Sequence, residues 1–147
     1  MGIELENKVR AMHDAWGDGS DEVRPDVEKI LSYFAEDAEW QLWVPGGPVI
    51  RGKDALRAEI LNQMTFATNN KCNEVNILSN DLMVMQERSD TAIIMGRPCP
   101  HQMVAIYEFN YTGLIVKCRE YLDMDDLNRK MGVTGEKNPA GNPEAVG

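Results

Sequence analysis

The chain has 147 residues, 43% of them hydrophobic and 27% charged, which suits one globular domain with a single core. A formal net charge of -9 repels phosphate backbones and anionic lipid, and no basic cluster with interleaved aromatics offsets it, so neither nucleic acid nor a membrane surface is an expected partner. Charges at Glu4, Glu6, Lys8 and Arg10 exclude a secretory apolar stretch there, and three irregularly spaced cysteines (Cys72, Cys99, Cys118) read as free thiols, so the expectation is a cytoplasmic protein without a disulfide framework or zinc cluster.

From Ile3 to Trp16 the apolar residues Leu5, Val9, Met12 and Trp16 recur at helical spacing and predict an amphipathic helix. "GDGSDEVRPD" breaks it, and Pro25 then suits the first turn of a second helix carrying Val27, Ile30, Leu31 and Phe34. "AEDA" is read as closing that helix, and "EWQLWV" as a short strand with Trp40 and Leu42 on one face. "PGGP" predicts a turn, and "GKDALRAEILNQM" a third helix. The period then changes: "NEVNIL", "LMVMQERSDTAIIM", "MVAIYEF" and "LIVKCREYLDM" read as strands joined by connections short enough for antiparallel hairpins. "DDLNRKM" predicts a short closing helix, and residues 133–147, rich in Gly, Pro and Asn, a flexible tail after a single domain over 1–132. Helices followed by strands give an α+β fold, a strongly bent mixed or antiparallel sheet enclosing a pocket capped by about three N-terminal helices.

Two places carry groups fit for chemistry. Arg88 and Asp90 share one face of a strand whose ends are apolar, and strand parity sets Arg119, Tyr121 and Asp123 on one face of the last strand. Two carboxylates near one arginine in an apolar hollow repel each other, so one is held protonated and the other ionised: a proton donor beside a proton acceptor. No metal or cofactor is required for such a pair. Residue patterns alone favour a plainer reading, in which Arg88 and Asp90 form an exposed ion pair, because Glu87, Ser89 and Thr91 make the opposite face equally polar. Asp123 serves equally well as the N-cap of the closing helix. His13 and His101 have no partner at metal or triad spacing and receive no role.

"YFAEDAEW", "IRGKDAL", "ERSD" and "REYLDM", in this order, resemble the limonene-1,2-epoxide hydrolase family within the nuclear transport factor 2-like, polyketide-cyclase-like superfamily, from about Val9 to Met131. The resemblance implies an interior Arg88 and Asp90, with Asp90 protonating the epoxide oxygen, Asp123 activating water, Arg88 bridging them, and neither cofactor nor covalent intermediate. It also implies a homodimer through the outer sheet face, for which Val104, Ile106, Val116 and Cys118 are the candidate surface. Where the family holds its water with Tyr and Asn, this chain has Trp40 and Leu42, which offer one hydrogen-bond donor and no acceptor. Gln86 and Tyr121 are the candidates by parity to replace them. A hydrophobic small-molecule epoxide is the expected substrate, with Trp40, Leu42, Met85, Met103 and Tyr121 in contact with it. The alternatives are an isomerase or cyclase on the same cone, and a non-catalytic binder of apolar ligands with Trp40, Leu42, Met85, Met95 and Met103 around its cavity.

Overall fold

The computed structural model describes residues 2–142. Helix α1 (Gly2–Asp14) buries Leu5, Val9 and Met12, the stripe its spacing predicts. Pro25 lies just outside α2 (Val27–Leu31) rather than in its first turn; Asp26 caps that helix by accepting the Lys29 N–H at 3.2 Å.

The first strand is longer than its pattern suggests. "FAEDA" belongs to β1 (Phe34–Val44), where Ala35 and Ala38 are buried while Glu36 and Asp37 face solvent. A register shift between Phe34 and Glu39 breaks the two-residue alternation there, which is why the segment resembles a helix end. The turn after it returns the chain as β2 (Val49–Arg51), antiparallel to β1, with Gly46 at φ 79. Helix α3 (Lys53–Met64) follows and buries Leu56 and Ile60.

Next comes β3 (Ala67–Lys71), which "ATNNK" does not announce because it lacks apolar alternation. Strand β4 (Glu74–Ser79) and the 12-residue β5 (Met83–Ile94) follow. The first half of β5 pairs with β4, and its second half with β3 and with β6 (Arg97–Pro98), so this one strand runs through the whole bend. Strands β7 (His101–Phe109) and β8 (Ile115–Tyr121) complete the order β2-β1-β8-β7-β5-β3, in which β1 and β8 are parallel and the other pairs antiparallel. The result is an α+β cone: a strongly curled mixed sheet closed by helices. Helix α4 (Met124–Met131) seals its lower side and ends at Gly132 in the left-handed conformation. Among the described residues no helix is long and apolar enough to cross a membrane.

Two apolar clusters fill the cone. One gathers Val9, Ile30, Phe34, Leu56 and Ile60; the other gathers Ala92, Ile94, Leu127 and Met131. Part of the segment read as a flexible tail is packed against the fold. Asn138 and Pro139 are buried, and a 3-10 turn over Gly135–Lys137 leads into them. Hydrogen bonds with Asn62, Asn128 and Glu59 hold the segment there. Residues 143–147 of that tail lie outside the described residues.

Candidate active site

Along β5 the inward residues are Val84, Gln86, Arg88, Asp90, Ala92 and Ile94, all buried. Arg88 is 4% exposed and Asp90 6%, so the interior alternative is the one the fold adopts. Desolvating two charges costs several kcal/mol each unless geometry compensates. Here it does. Arg88 Nε reaches Asp90 Oδ1 at 3.2 Å and Oδ2 at 3.0 Å, Nη2 lies 3.0 Å from Oδ2, and the Asn73 backbone N–H adds a bond to Oδ1 at 3.1 Å.

The far side of the guanidinium is held just as fully. Nη1 donates to Tyr107 Oη at 2.6 Å, lies 3.1 Å from His13 Nε2, and Nη2 donates to Met103 Sδ at 2.8 Å. Arginine can only donate, so His13 Nε2 is the acceptor and its imidazole proton sits on Nδ1. The Tyr107 hydroxyl lies 2.7 Å from the same nitrogen. Burial, reinforced by the Arg88 charge, pushes the His13 pKa well below the usual histidine range and keeps the ring neutral. Burial raises Tyr107 well above the ordinary phenol value despite Arg88. Burial disfavours the Arg88 charge too, but the acidic groups packed around it outweigh that and leave it cationic.

The second interior carboxyl belongs to Glu120 on β8, a residue that the sequence reading passed over. It lines the same cavity as Arg88 and Asp90, and its Oε1 accepts the Trp40 indole N–H at 3.2 Å. The partial accessibility Glu120 retains is to the cavity, because the carboxyl itself is enclosed by protein. Its pKa is raised, first by burial, then by the Asp90 charge, against the opposing pull of Arg88 and the Trp40 bond. Two cavity-lining thiols complete this end: desolvation pushes Cys72 up to about 12, and burial raises Cys118 well above the usual value, so neither is a ready nucleophile.

The cavity measures about 170 Å³. Its walls include Phe34, Trp40, Leu42, Ile60 and Met103, with Leu127 and Met131 from α4. It offers a small apolar molecule one polar end, where a cation, two carboxyls, a phenol and a neutral imidazole converge. Among the described residues no group of three or more His, Cys, Asp or Glu side chains is placed to hold a metal ion.

Several expected site residues lie elsewhere. Asp123 is exposed and caps α4, accepting the Asp126 N–H at 3.0 Å, because the chain leaves the sheet after Tyr121. Tyr121 (41% exposed) and Met85 (42%) stand on the outer sheet face, opposite Val104 and Ile106 respectively, so neither reaches the cavity. Met95 is likewise outward at a positive φ of 52. Arg119 pairs with Glu108 on that outer face, whereas Cys118 turns inward and leaves the outer surface to its neighbours. Gln86 is buried beneath α1 and donates to Glu74 at 2.9 Å rather than lining the cavity. Trp40, Leu42 and Met103 do line it. His13, which has no partner at metal or triad spacing, follows Val9 by four residues, the spacing that returns a helix to its buried side.

A curled sheet closed by helices around a hollow with an ionic end defines a class of cone folds. Residues 9–118 match the SnoaL-like domain family, and the chain belongs to it. No curated protein matches the chain. Among solved structures, the chain is similar to an LEH-like epoxide hydrolase from M. tuberculosis, at 19% identity over 88% of this chain and 90% of that one, TM-score 0.71. It is similar to an NTF2-like protein of unknown function from Burkholderia pseudomallei, at 18% identity over 86% and 96%, TM-score 0.74. A protein with a ketosteroid isomerase-like fold from Catenulispora acidiphila, solved with trimethylamine, gives 16% identity over 90% and 97%, TM-score 0.72. At such identities the likeness is one of fold.

Proposed function

We propose that this protein is a cofactor-independent epoxide hydrolase for a hydrophobic small-molecule epoxide, with Arg88, Asp90 and Glu120 as its reacting constellation. The observation that carries this reading is the presence of two unlike carboxyls at the polar end of one cavity, Asp90 held by the buried Arg88 and Glu120 by the Trp40 indole. Asp90 receives N–H donors on both oxygens, which is the bonding of an ionised acceptor, while burial favours the protonated form of Glu120. The roles implied by the family resemblance are therefore redistributed. Glu120 gives its proton to the epoxide oxygen as the ring C–O bond breaks; water forms the new C–O bond and yields a proton to Asp90. Arg88 holds Asp90 in place and spreads the charge that develops. Once the diol leaves, the proton on Asp90 returns to Glu120 through solvent, restoring the starting state without a covalent intermediate.

Incubation with a panel of lipophilic epoxides in 18O-labelled water tests this. One labelled oxygen per diol is the expected result, and an inert protein across the panel would overturn the reading. A product formed without label would select a water-free isomerisation instead. That second reading draws on the wall facing the carboxyls, where Trp40 supplies one indole donor and Leu42 no polar atom to anchor a water.

The same reading takes the protein as a cytoplasmic homodimer. Support for the pairing comes from the outer sheet face, where Leu78 (73% exposed), Met85, Val104 and Tyr121 form an apolar surface rimmed by Glu87 and the Arg119–Glu108 pair. Sedimentation at twice the 16.5 kDa chain mass is expected, with Met85→Glu reverting to one chain; a monomeric wild type would exclude the pairing.

A further inference from the structure

The cavity has a wall that no part of the proposed chemistry uses. After α4 the chain turns back across the helical side of the cone, and Asn138 and Ala140 line the cavity from there. Asn138 Nδ2 donates to Asn128 Oδ1 on α4 at 2.8 Å, and Asn138 Oδ1 accepts the Ala140 N–H at 2.9 Å. On the opposite side, Asn62 Nδ2 on α3 donates to the Pro139 carbonyl at 2.9 Å, and the Gly141 N–H donates to Glu59 Oε2 at 3.0 Å. Glu59 is a buried carboxyl whose remaining bonds come from Asn62 and Gln63. Gly141 sits at φ 71, with the site of a Cβ 2.5 Å from Pro48 and 2.8 Å from Leu42, so the strap closes tightly onto the β1–β2 turn.

These contacts have a common character. The strap spans from α4 to α3 and to the hairpin, yet apart from Pro139 and Ala140 it is fastened by hydrogen bonds and contributes little apolar surface. Segments attached in this way open at lower free energy than the strands beneath them. The geometry points to residues 134–142 as a gate over the cavity, latched on Glu59 and seated through Gly141, with Asn138 and Ala140 as its ligand-facing surface. An apolar ligand enters when the strap lifts and is enclosed when it returns. This holds whichever reaction the cavity performs.

All three tryptophans of the chain, Trp16, Trp40 and Trp43, line the cavity, so their quenching by acrylamide reports its opening. The test compares the full-length wild type with Glu59→Gln, which removes an acceptor oxygen from the latch, and Gly141→Val, which has no room for its side chain. Hydrogen exchange of strap and sheet amides is read in parallel. In the wild type the Ala140 and Gly141 amides should exchange ahead of those in β5 and β7. In either variant they should exchange about tenfold faster or more, the loss of one hydrogen bond to a charged group, and the quenching constant should rise with them. Wild-type strap amides that exchange only together with the sheet would overturn the gate, even if a variant proves too unstable to study. So would freed strap amides with unchanged quenching.

Discussion

Glu120→Gln should lower the rate of diol formation by about 10²–10⁴-fold, the usual worth of one positioned general acid. Glutamine keeps the shape and still accepts the Trp40 indole N–H, but it cannot release a proton. The pH dependence fixes the role. A group whose pKa is raised is protonated below the raised value, so the wild-type rate should fall as pH rises through the Glu120 pKa; if Glu120 acted as the base, the rate would instead fall on acidification. Stability follows the same sign. The contribution of protonated Glu120 is fully present below the ordinary glutamate pKa and is lost as pH rises through the raised folded one. Glu120→Gln removes that loss, so the variant should melt above the wild type at neutral pH while being far less active. Asp123→Asn serves as the contrast: measured in the same assay, it should leave the diol rate near wild type, because Asp123 only caps α4.

Arg88→Met should destabilise the fold by on the order of 3–5 kcal/mol, the cost of breaking a buried ion pair and leaving one charge alone. The penalty arises from what remains. Without the guanidinium, Asp90 loses its Arg88 donors and retains the Asn73 N–H, and the Tyr107–His13 pair loses its shared donor. Denaturant unfolding of the variant measures the loss. The double variant Arg88→Met/Asp90→Leu should recover much of it, since replacing both charges with apolar groups of similar volume is often neutral or better. It should remain inactive. A single variant as stable as the wild type would mean that the pair is not sealed from water.

Strand β5 was legible because its period-two pattern survives along its whole length, and β7 and β8 because apolar and β-branched runs mark them. So was α3, whose Leu56 and Ile60 spacing is undisturbed. What failed did so for local reasons. The bulge in β1 erased its alternation, and β3 has Thr, Asn and Lys where a strand pattern would show apolar residues. Arg88 and Asp90 could be placed on one face, but not on the inner face, from a strand polar on both sides. Strand parity from Arg119 and the family resemblance both point to Asp123 and leave Glu120 on the other face. The better signal was Lys117 and Arg119 together: two long cations on one face mark it as the outer one and leave Cys118, Glu120 and Leu122 for the cavity. Hydrogen bonding from the guanidinium to Tyr107 and His13 joins α1, β5 and β7, a convergence that no local spacing encodes.

The most direct test of the central claim is a carbon-13 titration of the Glu120 carboxyl, assigned by its absence in Glu120→Gln. Burial beside the Asp90 carboxylate should give Glu120 a midpoint above the ordinary glutamate value, and Asp90→Asn should lower that midpoint by removing a neighbouring negative charge. A Glu120 that titrates as a solvent-exposed glutamate, and does not respond to Asp90→Asn, would contradict the account.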